Sequence, residues 1–471
     1  MRVHFGKPRR PAPDPLSVLP AFLELPHPFL LLSAMPGPDT GRFSFLGADP
    51  FLRFEARGRE CTVARRDGGI ERLSGDPLAR LGELLARFRV EPHGATPLPG
   101  GAVGYAAYSL QWQARGQVPG VSGEPEPPDL WFGFYDRLLV FDHLEGTVTA
   151  AATGLPATDP EEREGRALRD LEDLQHRLRA RGGRGSAAPA PVEFRPGIPF
   201  GAYRDMVCAA QDAIARGEIY QLNLTYPWRS GPLSDPAAAF RRLVRCSPAP
   251  FCAYLDDGHR RILSTSPERF LRWDGRVAES RPIKGTRPRG TDPAGDRLLR
   301  RELLASAKER AENIMIVDLI RNDLGRVCRP GTVRVRRLAG LETYARVFHL
   351  VSTVEGVPRP GVDAVDLIRA LFPGGSMTGA PKIRCLEWID RLEPVPRGIY
   401  SGTLGYLSFS GRTDLNIVIR TVVADRREAH FHVGGAVLAD SDPEMEYRET
   451  LAKADGILRA LGGAGARSLS E

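Results

Sequence analysis

No two cysteines in this chain have metal-type spacing. The six, at 61, 208, 246, 252, 328 and 385, contain no C-x-x-C pair, so in 471 residues they read as reduced thiols. Long apolar runs are missing too. The stretch at residues 22–32 is broken by Glu24, Pro26, His27 and Pro28, which excludes a membrane span and makes a poor signal peptide. A cytoplasmic protein with no membrane partner is expected. There is no G-x-x-x-x-G-K-[ST] phosphate loop and no internal repeat. Charge of one sign is only in mild excess: net +7 and a pI near 9.2, with 58 Asp and Glu residues. Such a balance permits a nucleic-acid partner but serves an anionic small molecule equally well.

What is present is ordinary for a soluble enzyme of one or two large domains, with 42% hydrophobic and 26% charged residues. Residues 181–193, rich in Gly, Ala and Pro, read as a linker between a β-rich part at 1–180 and a second part at 194–465. Strands are predicted at 42–46 and 138–141, and an amphipathic helix after Asp159-Pro160 with Leu168, Leu171, Leu174 and Leu178 on one face. The second part opens with a helix carrying Tyr203, Met206, Ala210 and Ile214 on one face, closed by Gly217. Strands at 219–225, 261–264, 403–409, 415–423 and 430–438 lack βαβ alternation. The predicted class is therefore α+β with large, mainly antiparallel sheets.

Lys284 lies in Arg-Pro-Ile-Lys-Gly-Thr-Arg-Pro-Arg-Gly (281–290), where Pro282, Gly285, Pro288 and Gly290 predict a series of bends. The run reads either as a solvated basic loop or as a mount for a nucleophilic amine. Glu309 and Glu312 share one face of a strongly helical segment. Glu446 and Glu449 share a face of a second helix, with Asp442 as N-cap and Pro443 in its first turn. Each pair is either surface charge, balanced by Lys308, Arg310 or Arg448, or half of an all-oxygen site for a hard cation. The turn at 372–382 (Phe-Pro-Gly-Gly-Ser-Met-Thr-Gly-Ala-Pro-Lys) opens a helix and offers backbone donors to an anion, or is a plain helix entry. Gly434 and Gly435 allow close approach of backbone to a ligand. His349, in an apolar run, reads as a core or site histidine. Arg420 ends an apolar strand, either paired inside or reaching for a carboxylate.

Taken together, these blocks resemble the chorismate-utilising enzymes. The resemblance covers nearly the whole chain: GRFSFLGADP (41–50), GGAVGY (100–105), GEIYQLNLT (217–225), SPE (266–268), PIKGT (282–286), MIVDLIRNDL (315–324), HLVS (349–352), GGSMTGAPK (374–382) and ADSDPE (439–444). It is strongest to the aminodeoxychorismate synthase component I branch, a sister of anthranilate synthase component I. It implies that family's fold, with large antiparallel sheets packed together and flanked by helices. It also implies magnesium held by Glu312 and Glu449, supported by Glu309 and Glu446. Lys453 and the backbone at Gly434 and Gly435 would hold the ring carboxylate of chorismate. Tyr400 and Arg420 would hold the enolpyruvyl carboxylate, with Ser376 near the ring. Glu268 would be the acid that helps the 4-hydroxyl leave, and His349 would move a proton or position substrate.

Within the family Lys284 discriminates, because anthranilate synthases carry PIAGT where this chain has PIKGT. The resemblance implies that Lys284 adds at ring carbon 2 and that ammonia then adds at carbon 4, giving 4-amino-4-deoxychorismate on the route to p-aminobenzoate and folate. None of the cysteines sits in a glycine-rich nucleophile turn, and the resemblance implies a separate glutamine amidotransferase as the source of ammonia. Two departures stand out. Leu30-Leu31-Leu32-Ser33 replaces Leu-Leu-Glu-Ser, which puts tryptophan feedback in doubt while leaving Ser33 able to line an indole pocket. Ala436 stands where the family has a third glycine. The alternatives are anthranilate synthase component I, a basic nucleic-acid-binding protein using 281–290, and an idle scaffold for the amidotransferase.

Overall fold

Among the described residues, runs of alternating and fully buried positions assemble into two 12-stranded sheets. The computed structural model describes residues 3–462, except 36, 38, 39, 93, 95, 115–126, 181–190 and 345. Most of the predicted linker therefore lies outside the described residues. In the first sheet, Phe29–Leu32, Phe251–Asp256, Arg261–Ser266, Thr421–Ala424, Ala429–Val437 and Gln221–Ser230 lie side by side in that order. In the second, the order runs Ile283–Pro288, Val347–Gly356, Ala278–Arg281, Arg269–Trp273, Thr413–Ile417, Thr403–Ser408, Gly101–Ala106 and Leu130–Tyr135. The pairings are antiparallel, as between Gln221–Ser230 and Ala429–Val437 or Ile283–Pro288 and Val347–Gly356. Strands from before residue 181 and after residue 190 enter both sheets, so the two stretches of sequence are interleaved.

The sheets pack face to face. Phe29, Phe45, Val140 and Ile262 of the first meet Val103, Trp131, Leu404 and Tyr406 of the second in one buried layer. The outer face of the first sheet is covered by helices that contribute Leu174, Tyr203, Phe240, Leu386 and Ile457. The outer face of the second is covered by helices that contribute Leu81, Ile316 and Leu367. The result is a helix–sheet–sheet–helix arrangement of the α+β class.

Several local expectations change. The helix Pro160–Arg179 forms with Asp159 accepting from Glu162 N–H at 2.9 Å, but its buried stripe is Ala167, Leu171 and Leu174. Leu168 is 51% exposed, because a 3.6-residue period carries it off the face that Leu171 buries. The basic run around Lys284 is not a chain of bends. It is the edge strand Ile283–Pro288, with its register shifted between Ile283 and Thr286 around Gly285 at φ +90°. An edge position tolerates Pro282 and Pro288, and the irregularity lets glycine adopt a backbone that other residues resist. The single strand predicted at 415–423 is two strands in different sheets, Thr413–Ile417 and Thr421–Ala424. The chain crosses between the sheets there, and Arg420 takes the left-handed φ of +49° that the turn requires.

Candidate active site

Lys284 is only partly exposed, and its charge acts on three carboxyl groups: Glu268, Glu312 and Glu449. Each comes from a different element. Glu268 directly precedes the strand Arg269–Trp273, and its backbone carbonyl accepts from Ile417 N–H at 3.0 Å. Its side chain is buried and Oε1 takes Ile283 N–H at 3.4 Å, one residue before Lys284. Burial pushes the Glu268 carboxyl up to about 7, against the pull of the Ser376 hydroxyl and the Lys284 charge. A carboxyl so placed holds a proton near neutrality, as a general acid must. Ser376 lies in the short 3₁₀ turn Gly375–Met377, with its Oγ buried and lacking a partner at full hydrogen-bond geometry. The glycine-rich turn itself uses Met377 and Thr378 N–H internally, and Lys382 is tied to Asp323 at 2.6 Å and to Leu371 O at 2.9 Å.

The two predicted acidic helices are present as Ala307–Gly325 and Pro443–Leu461, the first capped by Ser306 and the second by Asp442. Their carboxylates feel one another. Burial raises the Glu312 carboxyl, and Glu309 and Glu449 push it further while Lys284 and Lys308 oppose them. Burial likewise raises Glu446, with Glu449 adding to the effect and the 2.7 Å bond from Ser441 Oγ opposing it. Glu449 is held low, mainly by Lys453, whose Nζ lies 2.8 Å from it and 2.7 Å from Gly434 O. Glu309 bonds Arg287 at 3.1 Å. A Cβ on Gly435 would lie 3.0 Å from Glu446 Oε2, so the glycine is what allows the strand to approach this carboxylate. Among the described residues, no group of three or more acidic, His or Cys side chains converges as a ready metal cluster. The four glutamates are nonetheless an all-oxygen set under like-charge strain, a donor chemistry that fits a hard divalent cation.

His349 is a buried residue on the strand beside Lys284's. Thr286 Oγ1 lies 2.9 Å from its Nδ1, while Nε2 is buried without a partner. Burial, with Arg420 adding repulsion, lowers its pKa to about 3, so the ring is neutral. Arg420 is itself lowered by burial, against the pull of Tyr344. Tyr400 is buried, its hydroxyl raised by burial and by the charges of Glu393 and Glu268 against the pull of Arg397. The expected residues thus fall into overlapping groups: Lys284 with Glu268, Ser376, Glu312 and Glu449; Glu446 and Lys453 with Gly434 and Gly435; and His349 with Arg420. Ser33 lies apart from them, in a cavity of about 380 Å³ that Arg42, Arg269, Arg272 and Asp414 also line.

Sequence reasoning missed one supporting residue. Arg397 is 2% exposed and bonds Glu393 at 2.6 Å, Met377 O at 2.7 Å and Asn223 O at 2.8 Å, with its guanidinium over the Tyr108 ring. It ties the glycine-rich turn to the first sheet, three residues before Tyr400. Only its position between Pro396 and Gly398 marks it in the sequence, and that signal says nothing of burial.

Fold and site together define a protein of the anthranilate synthase component I architecture. The crystal structure of that enzyme from Streptococcus pneumoniae TIGR4 superposes with a TM-score of 0.78 and 30% identity, over 90% of this chain and 94% of that one. The chain belongs to the family of chorismate binding enzymes, whose signature matches residues 28–459. An aminodeoxychorismate synthase of Streptomyces pristinaespiralis is 43% identical over 93% of this chain, which spans 62% of that relative's length. Anthranilate synthase component 1 of Streptomyces coelicolor is 37% identical, covering 95% of this chain and 87% of its own. No helix among the described residues is long and apolar enough to cross a membrane.

Removing Arg397 would strand Glu393 as a buried, uncompensated charge. Arg397→Ala is expected to cost about 3–5 kcal/mol in urea unfolding. A loss below about 1 kcal/mol would show that Glu393 is relieved some other way.

Proposed function

We propose that this chain converts chorismate and ammonia into 4-amino-4-deoxychorismate, on the route to p-aminobenzoate and folate, with ammonia drawn from glutamine by a partner amidotransferase. The observation that carries this reading is Lys284 standing beside the proton-holding Glu268. A lysine at this point can form a covalent adduct, whereas alanine cannot.

Chorismate is a dicarboxylate. Lys453 and the Gly434–Gly435 backbone take its ring carboxylate, and Arg420 and Tyr400 take the enolpyruvyl carboxylate. Glu312 and Glu449, with Glu309 and Glu446 in support, would hold a magnesium ion, which would supply positive charge for the ring carboxylate and offset the carboxylates that face Lys284. The Lys284 amine forms a bond to ring carbon 2. Both double bonds of the ring diene shift, and the C4–O bond breaks as Glu268 gives its proton to the departing hydroxyl, releasing water. Ammonia then bonds to carbon 4, both double bonds shift back, and the Lys284 amine leaves carbon 2 as a proton from the added nitrogen returns to Glu268. Neutral His349, with one ring nitrogen toward Thr286, can hold or pass a proton during these steps. The enolpyruvyl group is retained.

The test is product identification by mass spectrometry after incubation with chorismate, magnesium and ammonium. Aminodeoxychorismate is expected, and Lys284→Ala should lower its formation by about 100-fold or more. Anthranilate as the main product would overturn the reading in favour of the second branch, and isochorismate or salicylate formed without ammonia would also overturn it. A second outcome follows from Glu268. Burial raises its pKa, so it keeps its proton in mild acid and loses it as pH rises through about 7. The rate of the chemical step should fall on the alkaline side of about pH 7, and Glu268→Gln should remove that limb along with about 100-fold or more of the rate. A wild-type profile flat from pH 6 to pH 9, a span set about the Glu268 value, would contradict the assignment.

A further inference from the structure

His432 lies two residues before Gly434 on the strand Ala429–Val437, and none of the roles above uses it. Alternation along that strand sends Phe431 and Val433 into the helix-side core of the first sheet, so His432 faces the other way. There its ring stacks on Tyr400, with centroids 5.0 Å apart and planes 17° from parallel. Tyr400 belongs to the core of the second sheet, so the stack spans the two sheets. His432 is 7% exposed, and its Nε2 is buried with no hydrogen-bond partner. Burial, with the charges of Arg397 and Arg229 adding to it, keeps the ring neutral. A phenylalanine would stack on Tyr400 equally well without an unpaired buried nitrogen, so the imidazole carries a cost that packing does not require.

We propose that His432 is a substrate-positioning residue: its ring fixes the plane of Tyr400, and its Nε2 takes an oxygen of the bound carboxylate as hydrogen-bond partner. The proposal rests on the reading of Tyr400 given above. A neutral imidazole donor adds direction to a carboxylate site whose charge is already supplied by Arg420.

Two variants separate ring from nitrogen. His432→Phe keeps the stack and loses the hydrogen bond; His432→Gln keeps a donor and loses the stack. Chorismate affinity is measured by calorimetry in magnesium, beside steady-state rates and melting temperature. His432→Phe is expected to weaken chorismate binding and raise KM about tenfold, with kcat within about threefold and melting temperature unchanged or higher. His432→Gln is expected to recover part of the affinity while lowering the melting temperature. Binding by His432→Phe equal to wild type would overturn the proposal, as would a fall in kcat with KM unchanged. Failure of the wild type to bind chorismate would overturn both this inference and the proposed function. Wild-type binding with anthranilate as product would overturn only the latter, and His432 would still be judged by the affinities.

Discussion

Carboxylates repel one another at short range, yet this chain gathers Glu268, Glu312 and Glu449 around the single amine of Lys284. Each carboxylate has its own relief. Glu268 keeps a proton, Glu449 leans on Lys453, and Glu312, pressed by Glu309 and Glu449, is offset by Lys284 and Lys308. Glu309, Glu312, Glu446 and Glu449 form an all-oxygen set whose mutual repulsion a hard divalent cation would offset.

The two packed sheets supply the frame in which these charges stay in place. Lys284 and His349 come from adjacent strands at one edge of the second sheet, while Gly434, Gly435 and His432 come from one strand of the first. The chain crosses between the sheets at residues 418–420, and the buried Arg397–Glu393 pair fastens the glycine-rich turn beside that crossing. Side chains of the acidic helices then reach in over Gly285 and Gly435, where a Cβ would lie 3.2 Å from Glu309 and 3.0 Å from Glu446. The glycines of these motifs are therefore spacers between backbone and carboxylate as much as flexible joints.

Local pattern was enough for the helices that carry Glu309, Glu312, Glu446 and Glu449, because a spacing of three and an Asp442-Pro443 start are properties of neighbouring residues. It was enough for the α+β class as well. Contacts between distant segments were beyond it. The strand character of 283–288 comes from pairing with Val347–Gly356, and prolines and glycines disguise it. The run Ile417-Val-Ile-Arg-Thr looks like one strand because a crossover buries both of its ends. Arg397 and His432 carry no motif of their own, and only burial against Glu393 and Tyr400 gives them a role. Lys284 was visible as a residue, but its proximity to Glu268 required the fold.

A covalent bond between Lys284 and chorismate would be caught by intact-protein and peptide mass spectrometry after rapid quenching of a mixture with chorismate and magnesium but no ammonia. The expected result is a mass gain of one chorismate less one water, mapping to Lys284, absent in Lys284→Ala and discharged when ammonium is added. An unmodified Lys284 under conditions where added ammonium yields aminodeoxychorismate would contradict it.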